Sequence, residues 1–163
     1  MAKDAQKKSI SKQDLMPFSL LGDCASAFIL LSRIPVFWFR FETDKTPNFT
    51  RSLWAFPLVG LVIGVGAGCL LLPPIRDFLP PVGASVLALG FIALATGALH
   101  EDGMADVADG FGGGQTEADK SRIMHDSHIG SYGVLALVVV SLFRVTLFFA
   151  VSTIISDGLL LVL

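Results

Sequence analysis

Three aspartates with helical spacing are the residues of this sequence best suited to chemistry. Asp102, Asp106 and Asp109 stand at positions i, i+4 and i+7, so a helix would project all three from one face. Like charges so close raise one another's pKa, and a divalent cation with oxygen ligands would offset them. Gly110 and glycines 112–114 follow directly, and glycine lets backbone N–H groups approach an anion closely. Carboxylates for a hard metal beside an anion-binding loop predict chemistry on a phosphate or diphosphate.

A second polar cluster lies at residues 120–133. Arg122 and Asp126 are four residues apart, so they could simply pair on a helix. Alternatively, Asp126 is a further metal ligand and Arg122 contacts a diphosphate, since arginine binds phosphate oxygens bidentately. Histidine as a residue type titrates near neutrality, so His125 and His128 are candidates for acid–base work, although an ordinary surface histidine fits each position as well.

Two common ion-binding motifs do not fit the acidic segment. The calcium loop of an EF-hand has acids at alternate positions and a glutamate at the twelfth, and residues 100–114 have neither. A nucleotide-binding P-loop would continue from the glycines into Gly-Lys-Ser/Thr, which is missing here.

The composition indicates an integral membrane protein of the all-α class. Of the 163 residues, 53% are hydrophobic and 16% charged, and the mean hydropathy is +0.69. The charges concentrate at the N-terminus and in residues 40–51 and 100–128. The net charge of −2 and the lack of a basic stripe give no support to a nucleic-acid partner. Cys24 and Cys69 lie in apolar runs and are expected to be small buried hydrophobes.

The apolar runs predict a single membrane-embedded domain over residues 1–163, in contact with the lipid bilayer. Residues 17–39 hold Asp23, Arg33 and Pro35, so their uninterrupted apolar part is too short to span. The predicted segments are a polar lead-in (1–16), a broken or interfacial helix (17–39), a polar loop (40–51), three spanning helices (52–72, 82–99 and 133–155) and an Asp- and Gly-rich active-site loop (100–132). In the first span, glycines recur at every fourth position (Gly60, Gly64 and Gly68), which suits close helix contact in lipid.

The distribution of basic residues predicts the orientation. The 40–51 segment holds Arg40, Lys45 and Arg51, and the 100–132 segment holds Lys120 and Arg122. The turn between the first two spans holds only a single arginine, at 76. By the positive-inside rule, the active-site loop faces the cytoplasm. The apolar run at 158–163 ends without a polar flank, which predicts a chain truncated at its C-terminus.

Arg144 lies in the middle of the third predicted span. A charge there costs at least about 2.5 kcal/mol unless an anion meets it, so the arginine should face the bundle interior. The candidate anions are an embedded carboxylate, for which Asp23 is favoured, and a substrate phosphate.

Two long motifs resemble the cobalamin synthase family, the adenosylcobinamide-GDP ribazoletransferases. They are HEDGMADVADGFGGG at residues 100–114 and IMHDSHIGSYGVLAL at 123–137, preceded in the right order by LSRIPV at 31–36 and FPLVGLVIG at 56–64. The resemblance covers about residues 20–150. The chain departs from the family in having His125 and His128 where lysine or arginine usually flanks the Asp-Ser pair. Family members also continue for several more membrane helices.

The resemblance implies transfer of the adenosylcobinamide phosphate group of adenosylcobinamide-GDP to alpha-ribazole or its 5′-phosphate, with release of GMP. It also implies Mg²⁺ as the cofactor and a bacterial inner (cytoplasmic) membrane. On this basis the expected metal ligands are Asp102, Asp106, Asp109 and Asp126, and the expected catalytic residues are Asp106, Asp109 and His125. The expected substrate-binding residues are Arg33, Gly112, Gly113, Gly114, Arg122 and Ser127. Which group takes the hydroxyl proton stays open, as does the oligomeric state, a homo-oligomer included.

Two other functions fit parts of the same sequence pattern. A CDP-alcohol phosphatidyltransferase also places an Asp-x-x-Asp-Gly set at the end of a membrane helix, but its motif continues with Ala-Arg and two further aspartates. Here Gly110 is followed by Phe111 and three glycines. An ion transporter could use embedded Asp23, Arg33 and Arg144, but this would not explain why acids and glycines share one segment.

Overall fold

The computed structural model describes residues 20–37, 47, 49–72, 75 and 78–160. Within these ranges the chain is helical, with no strand, so the all-α class is confirmed. The helices are α1 (Leu20–Leu31), a 3₁₀ helix (Arg51–Ala55), α2 (Phe56–Cys69), α3 (Pro81–Thr96), α4 (Leu99–Gly113), α5 (Glu117–Met124) and α6 (Ser131–Leu160). The predicted lead-in (1–16), most of the 40–51 loop and the arginine at 76 lie outside the described residues.

Over the residues that the structure describes, helix α1 is shorter than a membrane span. Its 12 residues rise about 18 Å, where a span needs roughly 20 residues. It ends at Leu31, shortly before Pro35. The residue before a proline, here Ile34, avoids the helical conformation. The chain then docks on another helix, because Arg33 N–H donates to the Ala95 carbonyl oxygen at 2.7 Å.

Within the described part of the chain, two stretches are long and apolar enough to cross a membrane. One is Arg51–Cys69, in which the 3₁₀ turn runs into α2, and the other is Ser131–Ile155 within α6. Helix α2 buries Val59, Ile63 and Ala67 against its neighbours. Glycines 60, 64 and 68 face open space in the described structure, so no described helix contacts this glycine stripe. The apolar face one residue away makes the contact instead.

Helix α3 ends three residues before the predicted boundary of the second span. Gly97 and Ala98 both adopt the left-handed conformation, with φ of 69° and 57°. Ala98 N–H donates to the Ala93 carbonyl at 2.7 Å and Gly97 N–H to the Leu94 carbonyl at 3.3 Å, which are the two bonds of a Schellman motif. Helix α4 then starts at Leu99, and the two helices meet at 90°. The pair counts as a third span only if the bend lies inside the membrane.

The segment predicted as a loop at 100–132 is mainly two helices, α4 and α5. Helix α4 persists through its glycines because it packs on both sides, against α5 and against α6. Helix α6 also packs along α3, with Phe148 next to Ala84 and Ala88. The rest of α6 exposes large apolar side chains, as expected for a surface that faces lipid.

A buried ion pair joins α1 to the 3₁₀ helix that leads into α2. Asp23 is 1% exposed, and its carboxylate accepts from Arg51 Nε at 2.7 Å and from Trp54 Nε1 at 3.3 Å. A buried carboxylate is tolerated only when it is paired and hydrogen-bonded. This pair therefore fixes how α1 sits on the first span, and it shows that Asp23 is already neutralised.

Removing the cation of this pair should destabilise the fold. We expect Arg51→Gln to lower the free energy of unfolding by about 2 kcal/mol, less than for a fully buried pair because the arginine is partly exposed. Asp23→Asn combined with Arg51→Gln should recover part of the loss, since no unpaired charge remains buried. Unfolding in detergent micelles measures both, with the exposed Arg122→Gln as the control. Equal stability of Arg51→Gln and the control would contradict the assignment.

Candidate active site

The four acids of α4 differ in burial. Asp109 is buried at 8% exposed, Glu101 and Asp106 are half-buried, and Asp102 is exposed. The helix is continuous through all of them, so the spacing does place Asp102, Asp106 and Asp109 along one side. Glu101 and Asp109, near the two ends of α4, contact α6, whereas Asp102 and Asp106 between them do not make such contacts in the described structure.

Asp109 caps the N-terminus of α6 from a neighbouring helix. Its Oδ2 accepts from Gly130 N–H at 2.7 Å and its Oδ1 from Gly133 N–H at 2.9 Å. A negative charge is favourable at a helix N-terminus, where N–H groups lack partners. A Cβ at Gly130 or Gly133 would overlap the Asp109 carboxylate, so glycine is needed for this approach. Both carboxylate oxygens of Asp109 therefore already accept hydrogen bonds. Its role as a metal ligand stays a prediction.

Arg144 pairs with Glu101, not with Asp23 as predicted. Its Nη1 donates to Glu101 Oε1 at 2.6 Å, and both side chains are partly buried. The 90° bend between α3 and α4 brings the first turn of α4 beside the middle of α6. Asp23 lies on α1 and is committed to Arg51. The remaining oxygen, Glu101 Oε2, is buried and has no hydrogen-bond partner among the described residues.

The predicted anion-binding glycine loop does not form. Gly112 and Gly113 lie inside α4, where N–H groups serve the helix, and Gly114 N–H donates to the Gly110 carbonyl at 3.0 Å. These glycines permit close packing instead. The ring of Tyr132 lies where a Cβ of Gly112 would be. The loop prediction failed because tertiary contacts extend the helix through residues of low helix propensity.

Helix α5 folds back on the end of α4. Thr116 Oγ1 accepts from Asp119 N–H at 3.1 Å and Asp119 Oδ2 accepts from Thr116 N–H at 3.3 Å, which is a capping box. The side chain of Met124 fills the space over Gly110 and that of Lys120 the space over Gly114. These contacts place the second predicted cluster next to the C-terminal end of α4.

In that cluster, two histidines have defined partners. His125 Nδ1 lies 2.6 Å from the Ser121 carbonyl oxygen. Asp126 Oδ1 accepts from His128 N–H at 3.1 Å and from His128 Nδ1 at 2.7 Å. The hydrogen bond from the His128 side chain lowers the pKa of Asp126, and the same bond raises the pKa of His128. Ser127, between them, is exposed.

The substrate-binding residues predicted from the sequence fall into two groups. The side chain of Arg33 packs against Gly97, at the break that precedes α4. Arg122, which is 76% exposed and 3.8 Å from Asp119, lies on α5 beside the other end of α4. Helix α4 has 15 residues and is about 21 Å long, so the two arginines flank opposite ends of the acidic helix.

The predicted metal ligands are not gathered into one cluster. Among the described residues, no group of three or more His, Cys, Asp or Glu side chains is placed to hold a metal ion. Mg²⁺, however, is usually held by one or two carboxylates together with water and substrate phosphates. Asp102 and Asp106, one helical turn apart on the partly open side of α4, fit that donor set.

Two residues near the site were not predicted from the sequence. Glu101 was not recognised as the partner of Arg144, although it lies within the same acidic motif. Tyr132 was not singled out either, although its half-exposed ring covers Gly112. A glycine opposite an aromatic residue leaves no spacing signal in a sequence, because the two lie on different helices.

Known proteins match much of this chain. A profile of the cobalamin-5-phosphate synthase family matches residues 23–163. The adenosylcobinamide-GDP ribazoletransferase of Brucella anthropi is 43% identical over 123 residues, which are 74% of this chain and 46% of that protein. The protein of the same name from Brucella ovis is 41% identical over 134 residues, 81% of this chain and 50% of that protein. The chain thus spans about half the length of the curated relatives it matches. No solved structure matches it.

The Asp126–His128 contact predicts a measurable pH dependence. Protonated His128 should stabilise the folded connection between α5 and α6. This stabilisation should be fully present below the ordinary histidine pKa of 6.5 and should be lost as the pH rises through the raised pKa of His128. It should lose the contribution of Asp126 as the pH falls through that group's lowered pKa. Asp126→Asn should bring the pKa of His128 down towards 6.5, as followed by NMR of labelled histidine. Asp119→Asn, which changes the same charge without touching His128, is the control, and equal shifts in both variants would contradict the contact.

Proposed function

This chain belongs to the cobalamin-5-phosphate synthase family, and we propose that it transfers the adenosylcobinamide phosphate group of adenosylcobinamide-GDP to alpha-ribazole or its 5′-phosphate. The products are adenosylcobalamin, or its 5′-phosphate, and GMP. The observation that carries the proposal is the family match over the whole acidic segment, where α4 presents Asp102 and Asp106 on its partly open side. The relatives that carry this activity by name are about twice as long as the matched region.

The proposed cofactor is Mg²⁺, which Asp102 and Asp106 would hold; Asp126 stays an expectation from the sequence, because no described group of three such side chains is placed to hold a metal ion. When bound, the ion supplies positive charge to the diphosphate and to the phosphate that leaves with guanosine. Two carboxylates leave room for phosphate oxygens and water, which is the usual arrangement for this ion. One oxygen of Asp126 already accepts from His128 Nδ1 at 2.7 Å, so only part of its acceptor capacity would be available to an ion.

The reaction joins a ribose hydroxyl of the ribazole to the phosphorus next to cobinamide. The new bond is oxygen to phosphorus, the bond that breaks is the phosphoanhydride to GMP, and the hydroxyl proton goes to a base. His125 fits this role, because a carbonyl can only accept and the imidazole Nδ1 facing Ser121 must therefore carry the hydrogen. In the neutral ring Nε2 is then left as the proton acceptor.

The remaining predicted residues are proposed to position the substrate. Arg122 and Ser127, both exposed near the C-terminal end of α4, would bind phosphate oxygens, while Arg33 would act at the opposite end. Gly112, Gly113 and Gly114 contribute shape: without side chains, this part of α4 lets Tyr132 and α5 pack closely around the site. Transfers of this kind depend mainly on such positioning and on charge neutralisation.

We propose that the protein resides in the bacterial inner membrane with α5 on the cytoplasmic side. The support is the excess of lysine and arginine in the segments at 40–51 and 100–132, and the two helices long enough to span. A cytoplasmic site would have direct access to GTP-derived substrate. A membrane location would retain a large, partly apolar corrin substrate near the site.

Loss of one metal carboxylate should nearly abolish turnover. We expect Asp106→Asn, which keeps the side-chain shape, to reduce GMP release from adenosylcobinamide-GDP by on the order of a hundredfold or more, because charge stabilisation of the transferring phosphate is lost. The purified chain in detergent is assayed with alpha-ribazole and Mg²⁺. Glu117→Gln, at an exposed acid in α5, is the control and should retain activity.

The same assay distinguishes the proposal from the other membrane transferases. Near-normal activity of both Asp102→Asn and Asp106→Asn would overturn the metal assignment. A wild-type chain that releases CMP from a CDP-activated lipid, and no GMP from the corrinoid, would overturn the proposed function.

The proposed orientation predicts opposite labelling at two exposed positions. In a background where Cys24 and Cys69 are replaced by serine, a cysteine at Phe78 should react with an impermeant maleimide added to spheroplasts, whereas one at Thr116 should not. Both positions should react once the membrane is permeabilised, which controls for accessibility. The reverse pattern in intact spheroplasts would place α5 outside the cytoplasm.

A further inference from the structure

Two contacts of different chemistry tie α4 to α6. At one end, Asp109 accepts from Gly130 N–H and Gly133 N–H, and at the other, Glu101 accepts from Arg144. The contacts are eight residues apart on α4 and eleven apart on α6, or about 12 Å and 16 Å of helix. The order of the contacts along the two helices shows that α4 and α6 run antiparallel.

The two acids that make these contacts are both shielded from solvent to a large extent. Glu101 is 17% exposed in its side chain and Asp109 is 8% exposed. Asp102 and Asp106 lie between them in sequence, Asp102 exposed and Asp106 half-buried like Glu101, and they take part in no ion pair or side-chain hydrogen bond that the described structure records. The four carboxylates of α4 therefore divide into two that are saturated by α6 and two that are available.

Both contacts supply negative charge to a point on α6 that needs it. Arg144 lies within the apolar stretch Ser131–Ile155, where a lone guanidinium is costly, so α6 requires an anion at this height. The first turn of α6 requires hydrogen-bond acceptors, and no acidic residue lies in it. Helix α4 supplies both, which links its placement to the two points on α6 that most need negative charge.

We propose that Glu101 and Asp109 are positioning residues that fix the height and rotation of α4 on α6, and that Asp102 and Asp106 are the only carboxylates of α4 that bind the metal. The metal part rests on the proposed function, whereas the docking part does not. Asp109 is thereby removed from the ligand set expected from the sequence. The available pair is held beside α6 at a depth between Gly133 and Arg144.

The first test changes the Arg144–Glu101 pair, first by one substitution and then by exchanging the two residues, and uses Mn²⁺ alone as the probe. Arg144→Gln removes a positive charge, which by electrostatics alone would strengthen binding of a cation. The positioning role predicts the opposite: the Mn²⁺ dissociation constant should rise about tenfold or more, as for other residues that orient metal ligands. Electron paramagnetic resonance of free Mn²⁺ measures it.

The exchanged pair separates positioning from ligation. Glu101→Arg combined with Arg144→Glu keeps the ion pair but moves the carboxylate to α6. We expect Mn²⁺ affinity within about threefold of the wild type, since the helix remains docked. If Glu101 were itself a ligand, the exchange would leave affinity as low as in Glu101→Gln. That result would overturn the proposal.

A matched control uses the other buried ion pair. Arg51→Gln breaks the contact with Asp23 on α1 and should lower thermal stability, yet it should leave the Mn²⁺ dissociation constant unchanged. An equal loss of Mn²⁺ affinity in Arg51→Gln and Arg144→Gln would mean that any destabilisation weakens binding. The positioning role of Arg144 and Glu101 would then be overturned.

Asp109 is tested against Asp106 by two readouts. Asp109→Asn replaces one acceptor oxygen with an amide that faces a backbone N–H, so its unfolding temperature should fall while Mn²⁺ still binds at full occupancy with reduced affinity. Asp106→Asn should keep or raise the unfolding temperature, because repulsion is relieved, and abolish Mn²⁺ binding. Loss of Mn²⁺ binding with unchanged stability in Asp109→Asn would make Asp109 a ligand and overturn the proposal.

A distance measurement keeps docking independent of metal and activity. Spin labels at the exposed Val107 on α4 and Val139 on α6, with both native cysteines replaced, should give a narrow distance distribution. Arg144→Gln should broaden it, and the exchanged pair should restore it. If the wild-type chain bound no Mn²⁺ but showed this pattern, only the proposed metal function would fail. An unchanged distribution in Arg144→Gln would overturn the docking role.

Discussion

Charges carried into apolar helices must be neutralised, and the arrangement of this protein depends on how the chain meets that constraint. Arg144, in the middle of α6, is met by Glu101 from α4, and Asp23, buried on α1, is met by Arg51. In water each pair would contribute little, but in an apolar setting an unpaired member is strongly unfavourable. The two pairs therefore select which helices are neighbours, since an alternative packing would leave a charge unpaired.

The left-handed break at Gly97 and Ala98 makes the pairing of Arg144 geometrically available. A straight continuation of α3 would carry Glu101 onward along the α3 axis, whereas the bend of 90° lays α4 along α6. Ala98 is the only non-glycine residue with a positive φ among the described residues, and such a conformation costs on the order of 1 kcal/mol. The ion pair and the Asp109 hydrogen bonds form only after this bend, so they offset that cost.

The sequence predicted the local features and missed those that depend on contacts between helices. Spacing correctly put Asp102, Asp106 and Asp109 on one side of a helix, because that periodicity is a property of the segment alone. The partner of Arg144 was predicted as Asp23, since both were embedded charges, but the choice between two acids depends on a bend that hydropathy does not encode. The glycines at 112–114 were interpreted as a loop for the same reason: their low helix propensity is local, whereas the packing of Tyr132 and α5 that keeps them helical is not.

A shared helix face explains why spacing alone assigns too many metal ligands. A face that carries acids at i, i+4 and i+7 can dock on a neighbouring helix, bind an ion, or do both with different members. On α4, the member nearest the N-terminus of α6 serves that helix, because backbone N–H groups there lack other acceptors and glycines let them come close. The members farther along have no such donors opposite them and keep their lone pairs. The chemistry available to each aspartate is therefore decided by what α6 places in front of it, and identical residues one or two turns apart acquire different roles.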